Sequence, residues 1–222
     1  MQKIEAVVID VDDTLCLTEV AWFNLENEAL QRMGRPHMDR SVHLSTWGQV
    51  TFDAIQKRSP GIDVEEFKAV YQPIISEHIK DGRLDTIPPV NYESIDRLIE
   101  LGKKIMLLTS RTRDELRHML ASDHLLASRI EAFYHKDNIR YHKPDPRAFD
   151  ELLKQHNLKP EQCVYVGDSP GDAAASNQAG LSFIASLESG IRQRDDFAGY
   201  RVSAFINHFP EIVDAVISLE TT

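Results

Sequence analysis

The stretch Ala6-Val7-Val8-Ile9-Asp10-Val11-Asp12-Asp13-Thr14-Leu15 constrains this chain more than any other. Its apolar opening, β-branched at three of four positions, reads as a buried strand of a parallel sheet. It ends in three carboxylates within four residues, Asp10, Asp12 and Asp13. Like charges set that closely repel, and burying them unpaired is costly, so they require a cation or a solvent-filled cleft. In open α/β sheets, ligands sit beyond the carboxyl ends of the strands, where this acidic cluster falls. An acidic turn after a strand is commonplace on its own, so the meaning of the cluster depends on what else the chain brings to it.

After Leu15 the period changes from strand to helix. Trp22, Leu25, Ala29 and Met33 recur at three- and four-residue spacing, and Gly34 and Pro36 close the pattern. Residues 37–58 are less regular and hold Trp47-Gly48-Gln49 and a short helical stretch. Asp63 with Glu66 resembles a capping box opening a helix through Phe67, Val70, Tyr71 and Ile74, with a kink expected at Pro73 and an end at Asp81-Gly82. Pro88-Pro89 reads as a hinge and Asn91 as the cap of the next helix.

A βα rhythm then takes over. Lys104–Leu108 is an apolar strand ending in Thr109-Ser110-Arg111, and Thr112 with Glu115 makes a second capping box for a helix. Residues 130–134 form a weaker strand, Asp145-Pro146 starts a helix, and Cys163–Val166 is a strand ending in Gly167-Asp168. An Ala-rich helix closed by Gly180, short strands near 182–185 and 202–206, and a final helix from about Pro210 complete the chain. Strands alternating with helices imply an α/β fold, a parallel sheet with right-handed crossovers. The reading divides the chain into a core of residues 1–16 and 89–222 and an inserted small α-helical domain of residues 17–88.

At 222 residues there is material for one large or two small domains. The net charge of −10 argues against nucleic acid as a partner, although a local site can still oppose the global sign and take a small anion. Apolar runs fall far short of the ~20 residues that span a bilayer, and no signal-peptide pattern opens the chain, so no membrane partner is expected. Cys16 and Cys163 match no metal or redox spacing and read as free thiols of a reducing cytoplasm. The His residues are scattered, which disfavours zinc.

Four sequence-distant stretches fall at one edge of the expected sheet: Asp10-x-Asp12-Asp13-Thr14, Thr109-Ser110, Lys143-Pro144 and Gly167-Asp168-x-x-x-Asp172. Each is weak alone. Together, two acidic strand ends facing one cleft with a hydroxyl and a cation suit Mg²⁺ and a phosphoryl group. In this order the four stretches resemble the motifs of the haloacid dehalogenase superfamily of phosphotransferases, over essentially the whole chain. IDVDDTL is similar to its first motif, LLTS to its second, HKPDP to its third and VGDSPGD to its fourth. The helical insertion resembles the cap of the phosphoglycolate phosphatase and β-phosphoglucomutase branch.

That resemblance implies a Rossmann-like core and a Mg²⁺-dependent phosphatase acting on a small phosphorylated metabolite. It makes Asp10 the nucleophile and Asp12 the general acid and base. Asp10, the main-chain carbonyl of Asp12, and Asp168 would hold the metal, with Asp172 in direct or supporting contact. Thr109, Ser110 and Lys143 would bind the phosphoryl group, and Thr14 would orient the first motif. Asp13 stands where the family most often has Gly. The presence of Asp12 points away from dehalogenation, and Thr14 away from the mutases, which carry Val there. Mutase chemistry, a receiver-type phospho-acceptor and a silent binding module remain as alternatives. The substrate stays open among sugar phosphates, phosphoglycolate, nucleoside monophosphates and pyrophosphate, as does a monomeric or homodimeric state. Glu19, Trp22, Trp47 and Gln49 are the residues of the insertion that the sequence offers for specificity.

Overall fold

The computed structural model describes residues 3–47, 49 and 51–221. In chain order its main elements are β1 (Ala6–Ile9), α1 (Thr18–Arg32), α2 (Arg40–Ser45), α3 (Thr51–Arg58), α4 (Val64–Lys80), α5 (Pro89–Glu100), β2 (Lys104–Leu108) and β3 (Ala132–Tyr134), followed by α6 (Asp150–Gln155), β4 (Cys163–Gly167), α7 (Pro170–Ala179), β5 (Ser182–Ser186), β6 (Ala204–Ile206) and α8 (Ile212–Thr221). The chain divides into two compact units, Met1–Cys16 with Ile87–Thr222, and Leu17–Thr86.

The first unit is an α/β sandwich around one parallel sheet in the order β3-β2-β1-β4-β5-β6. All four residues of β1 are buried because the strand is covered on both faces, which is why it lacks polar alternation. Val7 and Ile9 face one side with Ile105, Leu107, Val164 and Val166, against Ile95 and Leu98 of α5 and Ile212 and Val216 of α8. Ala6 and Val8 face the other with Met106, Tyr165 and Phe183, against Leu152 of α6 and Ala173 of α7. The chain steps outward from β1 to β2 and β3, then returns to place β4 on the other side of β1. That reversal is the switch point where α/β sheets open a crevice. Ile9 pairs in register with Leu107 and with Val166, so the residues after β1, β2 and β4 emerge at one level.

The second unit is helical, with α1–α4 and no strand among its described residues. Leu25, Ala29 and Leu30 of α1 pack with Ile55 of α3 and with Phe67, Tyr71 and Ile74 of α4. Its interior is not wholly apolar. Arg58 reaches both oxygens of Glu26 at 2.6 and 2.8 Å and donates to Thr46 Oγ1 and O at 2.9 Å each. Burial pushes the Glu26 carboxyl up, opposed by the Arg58 guanidinium. Asp63 accepts from the N–H groups of Glu65 and Glu66 at 2.9 and 3.0 Å and so caps α4. Asp63→Ala should lower stability by about 1 kcal/mol, a Tm fall of roughly 2–4 °C, read by calorimetry.

Helix α4 runs through Pro73 to Lys80 with Asp81 as its C-cap, the end expected of it. Several local expectations change. Pro88 and Pro89 are the N-cap and first residue of α5, so Asn91 lies inside the helix and is not its cap; its side-chain amide instead donates to the Leu15 carbonyl at 2.9 Å. Thr112 and Glu115 make the capping contacts, with Thr112 N–H and Oγ1 each 2.7 Å from Glu115 Oε2, yet residues 113–129 continue as successive turns and not as an α-helix. The third and sixth strands are shorter than their apolar runs, three residues each. No helix among the described residues is long and apolar enough to cross a membrane. Both cysteines are free and buried.

Candidate active site

Asp10 leaves the carboxyl end of β1 with its N–H on the Val166 carbonyl at 2.9 Å, which fixes it between the ends of β1 and β4. The residue is 6% exposed. Oδ1 accepts from Val11 N–H at 2.8 Å and lies 3.0 Å from Lys143 Nζ. Lys143 also reaches Asp172 Oδ1 at 2.7 Å and the Tyr165 hydroxyl at 2.8 Å. Tyr165 comes from β4 and packs edge-on against Phe149, their ring centroids 5.0 Å apart. Phe149 closes the short 3₁₀ turn Pro146–Phe149, whose N-cap Asp145 accepts from Arg147 N–H at 2.9 Å. Helix-cap chemistry and an aromatic pair thus anchor the loop that delivers Lys143.

Asp172 sits in the first turn of α7. Its Oδ2 accepts from Ser169 N–H at 3.0 Å and Ser169 Oγ at 2.6 Å, while Ser169 Oγ accepts from Asp172 N–H at 3.2 Å. This is a reciprocal capping box. It also explains the glycine before Asp168: a Cβ on Gly167 would lie 2.7 Å from Asp172 Cβ. Asp13 adopts φ +54°, the left-handed region in which glycine is the usual resident and Asp is tolerated. That accounts for the departure from the expected glycine.

The carboxylates here are perturbed by one another and by burial. Burial pushes the Asp10 carboxyl up to about 7; Lys143 opposes, and Asp172 and Asp12 add to the rise. Asp168 is held well above the usual carboxylate range by burial, then by Asp172 and Asp10. For Lys143 burial works against the charge, but Asp10 and Asp172 outweigh it and hold the ammonium above its ordinary value. Asp10, Asp168 and Asp172 each offer an oxygen, all within 4.8 Å of one another. Three converging carboxylates fit a hard divalent cation, whose charge would stabilise the ionised forms of Asp10 and Asp168. Both Asp172 oxygens are already engaged, Oδ1 by Lys143 and Oδ2 by Ser169.

A cavity of about 240 Å³ opens here, lined by Asp10, Asp12, Ser110, Lys143, Ser169 and Asp172, with Pro144 and Gly171. Thr109, next to Ser110, is buried, its N–H on the Tyr134 carbonyl at 3.0 Å and its Oγ1 accepting from Arg111 N–H at 3.2 Å. Asp12 turns its carboxylate to Arg111, whose Nε lies 3.0 Å from both oxygens. Any metal contact by Asp12 in this arrangement falls to its main chain. Thr14 is fully buried and its Oγ1 has no hydrogen-bond partner among the described residues. In the helical unit, Glu19 is fully buried and bound to His43 Nδ1 at 2.5 Å and to Arg40, which makes it a structural anchor. Trp22 packs against the apolar interior, Trp47 lies 5.5 Å from the buried His43 ring, Gln49 is exposed, and Gly48 falls outside the described residues.

Sequence reasoning did not assign Arg111, Tyr165 or Ser169 to the site. Ser169 was readable, since Ser169-x-x-Asp172 is itself a capping pattern. Tyr165 reads only as a strand residue, and nothing local separates its hydroxyl from an ordinary core aromatic.

Paired carboxylates and a buried lysine at the switch point of a parallel sheet define a hydrolase site of the phosphoryl-transfer kind. The family model of haloacid dehalogenase-like hydrolases matches residues 7–186. The chain belongs to that family, and it is a phosphatase. It is 26% identical over 187 residues to the pyrophosphatase PpaX of Bacillus mycoides (strain KBAB4), covering 82% of this chain and 83% of that one. It is 25% identical over 188 residues to a phosphoglycolate phosphatase of Rhodobacter capsulatus, covering 82% and 84%. A haloacid dehalogenase-like family hydrolase from Streptococcus pneumoniae superposes with a TM-score of 0.67 at 18% identity, covering 96% of this chain and 99% of that one, a likeness of fold.

Proposed function

We propose that the chain is a Mg²⁺-dependent phosphatase that hydrolyses a small phosphorylated metabolite through an aspartyl-phosphate on Asp10. The observation that carries this reading is the buried Asp10 carboxylate set 3.0 Å from Lys143, with Asp12 on the same cavity. An Asp10 oxygen attacks phosphorus as the bond to the leaving oxygen breaks, and Asp12 gives that oxygen its proton. Asp12, now a carboxylate, takes a proton from water; the water oxygen attacks phosphorus, the bond to Asp10 breaks, and inorganic phosphate leaves. Lys143, Thr109 and Ser110 hold the transferring oxygens. Asp172 holds Lys143, and Ser169 holds Asp172. Asp10 and Asp168, with Asp172 beside them, would hold Mg²⁺, which would supply the positive charge that lets an anionic nucleophile approach an anionic phosphoryl group.

The helical unit is the part of the chain assigned here to leaving-group selection, with Trp47 its first candidate. Relatives whose names specify pyrophosphate and phosphoglycolate support a small substrate. Two free buried thiols are in keeping with a cytoplasmic enzyme. The test is a panel of phosphorylated metabolites with and without Mg²⁺. Turnover should stop in excess chelator, and Asp168→Ala should raise the Mg²⁺ needed for half-maximal rate more than tenfold, on the order of the loss typical of metal-site substitutions. Acid quenching should trap phosphate on the Asp10 peptide. Full activity in chelator, or a trapped phosphate elsewhere, overturns the reading.

A further inference from the structure

Tyr165 carries a hydroxyl that packing alone does not require. Its ring is fully buried in β4, edge-on to Phe149 with centroids 5.0 Å apart and tilted against Phe183 at 6.3 Å. A phenylalanine would fill the same space, and burying a phenol is costly unless its oxygen is hydrogen-bonded. Here the oxygen accepts from Lys143 Nζ at 2.8 Å, and its own proton faces Asp172 Oδ1 at 3.2 Å and the Leu108 carbonyl at 3.4 Å. One atom on a rigid strand thus meets the end of β2, the loop that delivers Lys143 and the first turn of α7.

The Lys143 ammonium has three N–H groups. It donates to Asp172 Oδ1 at 2.7 Å and to the Tyr165 hydroxyl, and the remaining N–H serves the side of Asp10 Oδ1, at 3.0 Å the longest of these contacts. That is the side on which a phosphoryl group meets Asp10. As Asp10 attacks, that N–H passes from the Asp10 oxygen to a phosphoryl oxygen, while the other two hold the ammonium still. A lysine head on its flexible stem swings when held at one point and keeps its direction when held at two.

The second holder is neutral, and the charge of the site makes that matter. Asp10, Asp168 and Asp172 already offer oxygens within 4.8 Å of one another. Another carboxylate in place of the phenol would draw the ammonium toward itself and add to the field that repels an anionic substrate. A hydroxyl fixes the ammonium without neutralising it.

We propose that Tyr165 is a positioning residue of the phosphoryl-transfer step, a neutral post whose hydroxyl, together with Asp172, aims the third N–H of Lys143 at the transferring phosphoryl group. This rests on the roles given above to Asp10 and Lys143. The cavity is lined by Lys143 and not by Tyr165, so Tyr165 acts through the lysine.

The test is Tyr165→Phe, which keeps the ring and removes the oxygen. With Mg²⁺ present, kcat/KM should fall roughly ten- to hundredfold, the rate equivalent of one charge-assisted hydrogen bond. The fall should be the same on 4-nitrophenyl phosphate and on an alkyl phosphate, because Lys143 acts on the phosphoryl group and not on the leaving oxygen. The Ki of orthovanadate, which takes the five-coordinate shape of the transferring group, should rise by a similar factor. Ki does not depend on the fraction of the sample that is folded, so a merely structural hydroxyl would lower kcat and Tm and leave Ki unchanged. In the Lys143→Met background, Tyr165→Phe should cost less than about a further twofold, because the post then has nothing to aim. Should the double variant not fold, the vanadate Ki of Tyr165→Phe decides. A Ki within about twofold of wild type, or an equal loss with and without Lys143, overturns the assignment of Tyr165 alone. Inactivity of the wild-type chain on every phosphate ester, or wild-type turnover by Lys143→Met, overturns the reading beneath it and this assignment with it.

Discussion

Asp10→Asn should abolish turnover on every phosphate ester, while Asp12→Asn should produce a loss that depends on what departs. An amide is a poor nucleophile toward phosphorus and forms no aspartyl-phosphate, so the covalent route closes for good and poor leaving groups alike. Asp12 acts on the leaving oxygen, and general acid–base catalysis of this kind is worth roughly 10²–10⁴-fold. Nitrophenolate departs without a proton; an alkoxide does not. The Asp12→Asn deficit should therefore be largest on an alkyl phosphate and smallest on 4-nitrophenyl phosphate, measured as the burst of released nitrophenolate so that slow dephosphorylation does not mask it. Equal deficits on the two esters in the burst phase would remove the acid role from Asp12. Retained turnover in Asp10→Asn would remove the covalent route.

The parts of this site that were legible in the sequence are those encoded by consecutive residues. The β1 run, buried on both faces, has no polar alternation to confuse it, and its acidic end could only face a cleft or a cation. The same logic read β2, β4 and the residues that follow them. Long-range pairings were not legible. Arg111 lies 99 positions from Asp12, and only the in-register placement of β1 beside β2 brings the fork onto the carboxylate.

Capping signals were legible as chemistry but not as length. The Thr112–Glu115 box forms, yet a cap fixes where a helix can begin and not how far it runs. Downstream, Leu116, Met119 and Leu126 are the buried side chains; their spacing suits one helical face, but they are too few to hold a long one against the sheet. At Asn91 two local signals competed. Pro89 at the first helical position outweighed the cap preference of Asn, and a contact to Leu15, 76 residues away, took the side chain. Asp172 shows the reverse case. Its pattern with Ser169 announces a helix start, but its second oxygen serves Lys143, and that service is visible only once α7 lies beside the 142–145 loop.

Lys143→Met should lower turnover by orders of magnitude without abolishing it, and its effect on stability should depend on pH. Methionine keeps the bulk and removes the ammonium that lies between Asp10 and Asp172. Loss of the cation from the phosphoryl site should cost on the order of 10²–10³ in kcat. It also leaves two buried carboxylates without their partner, a destabilisation of roughly 3–5 kcal/mol when they are ionised. Burial already raises the Asp10 carboxyl from 3.8 to about 7 in the folded chain, with Lys143 opposing that rise. A carboxyl whose folded value lies above its unfolded one stabilises the fold fully below the unfolded value and loses that contribution as pH rises through the folded value. Asp168 shifts in the same direction. The metal-free wild-type chain should thus lose stability between about pH 4 and pH 7 from these groups, and Mg²⁺ should restore it by favouring the ionised forms. Removing the opposing ammonium lifts Asp10 further, so the variant sheds more stability over that range and beyond it. The Tm difference between Lys143→Met and wild type, both in chelator, should be smaller at pH 5, where Asp10 carries a proton, than at pH 8, where it should be roughly 6–20 °C. His135, which burial pushes to a lower value, contributes equally to both proteins and cancels in the difference. A Tm difference of the same size at pH 5 and pH 8 would mean that Lys143 supports the fold by packing and that its charge does not hold the two carboxylates together.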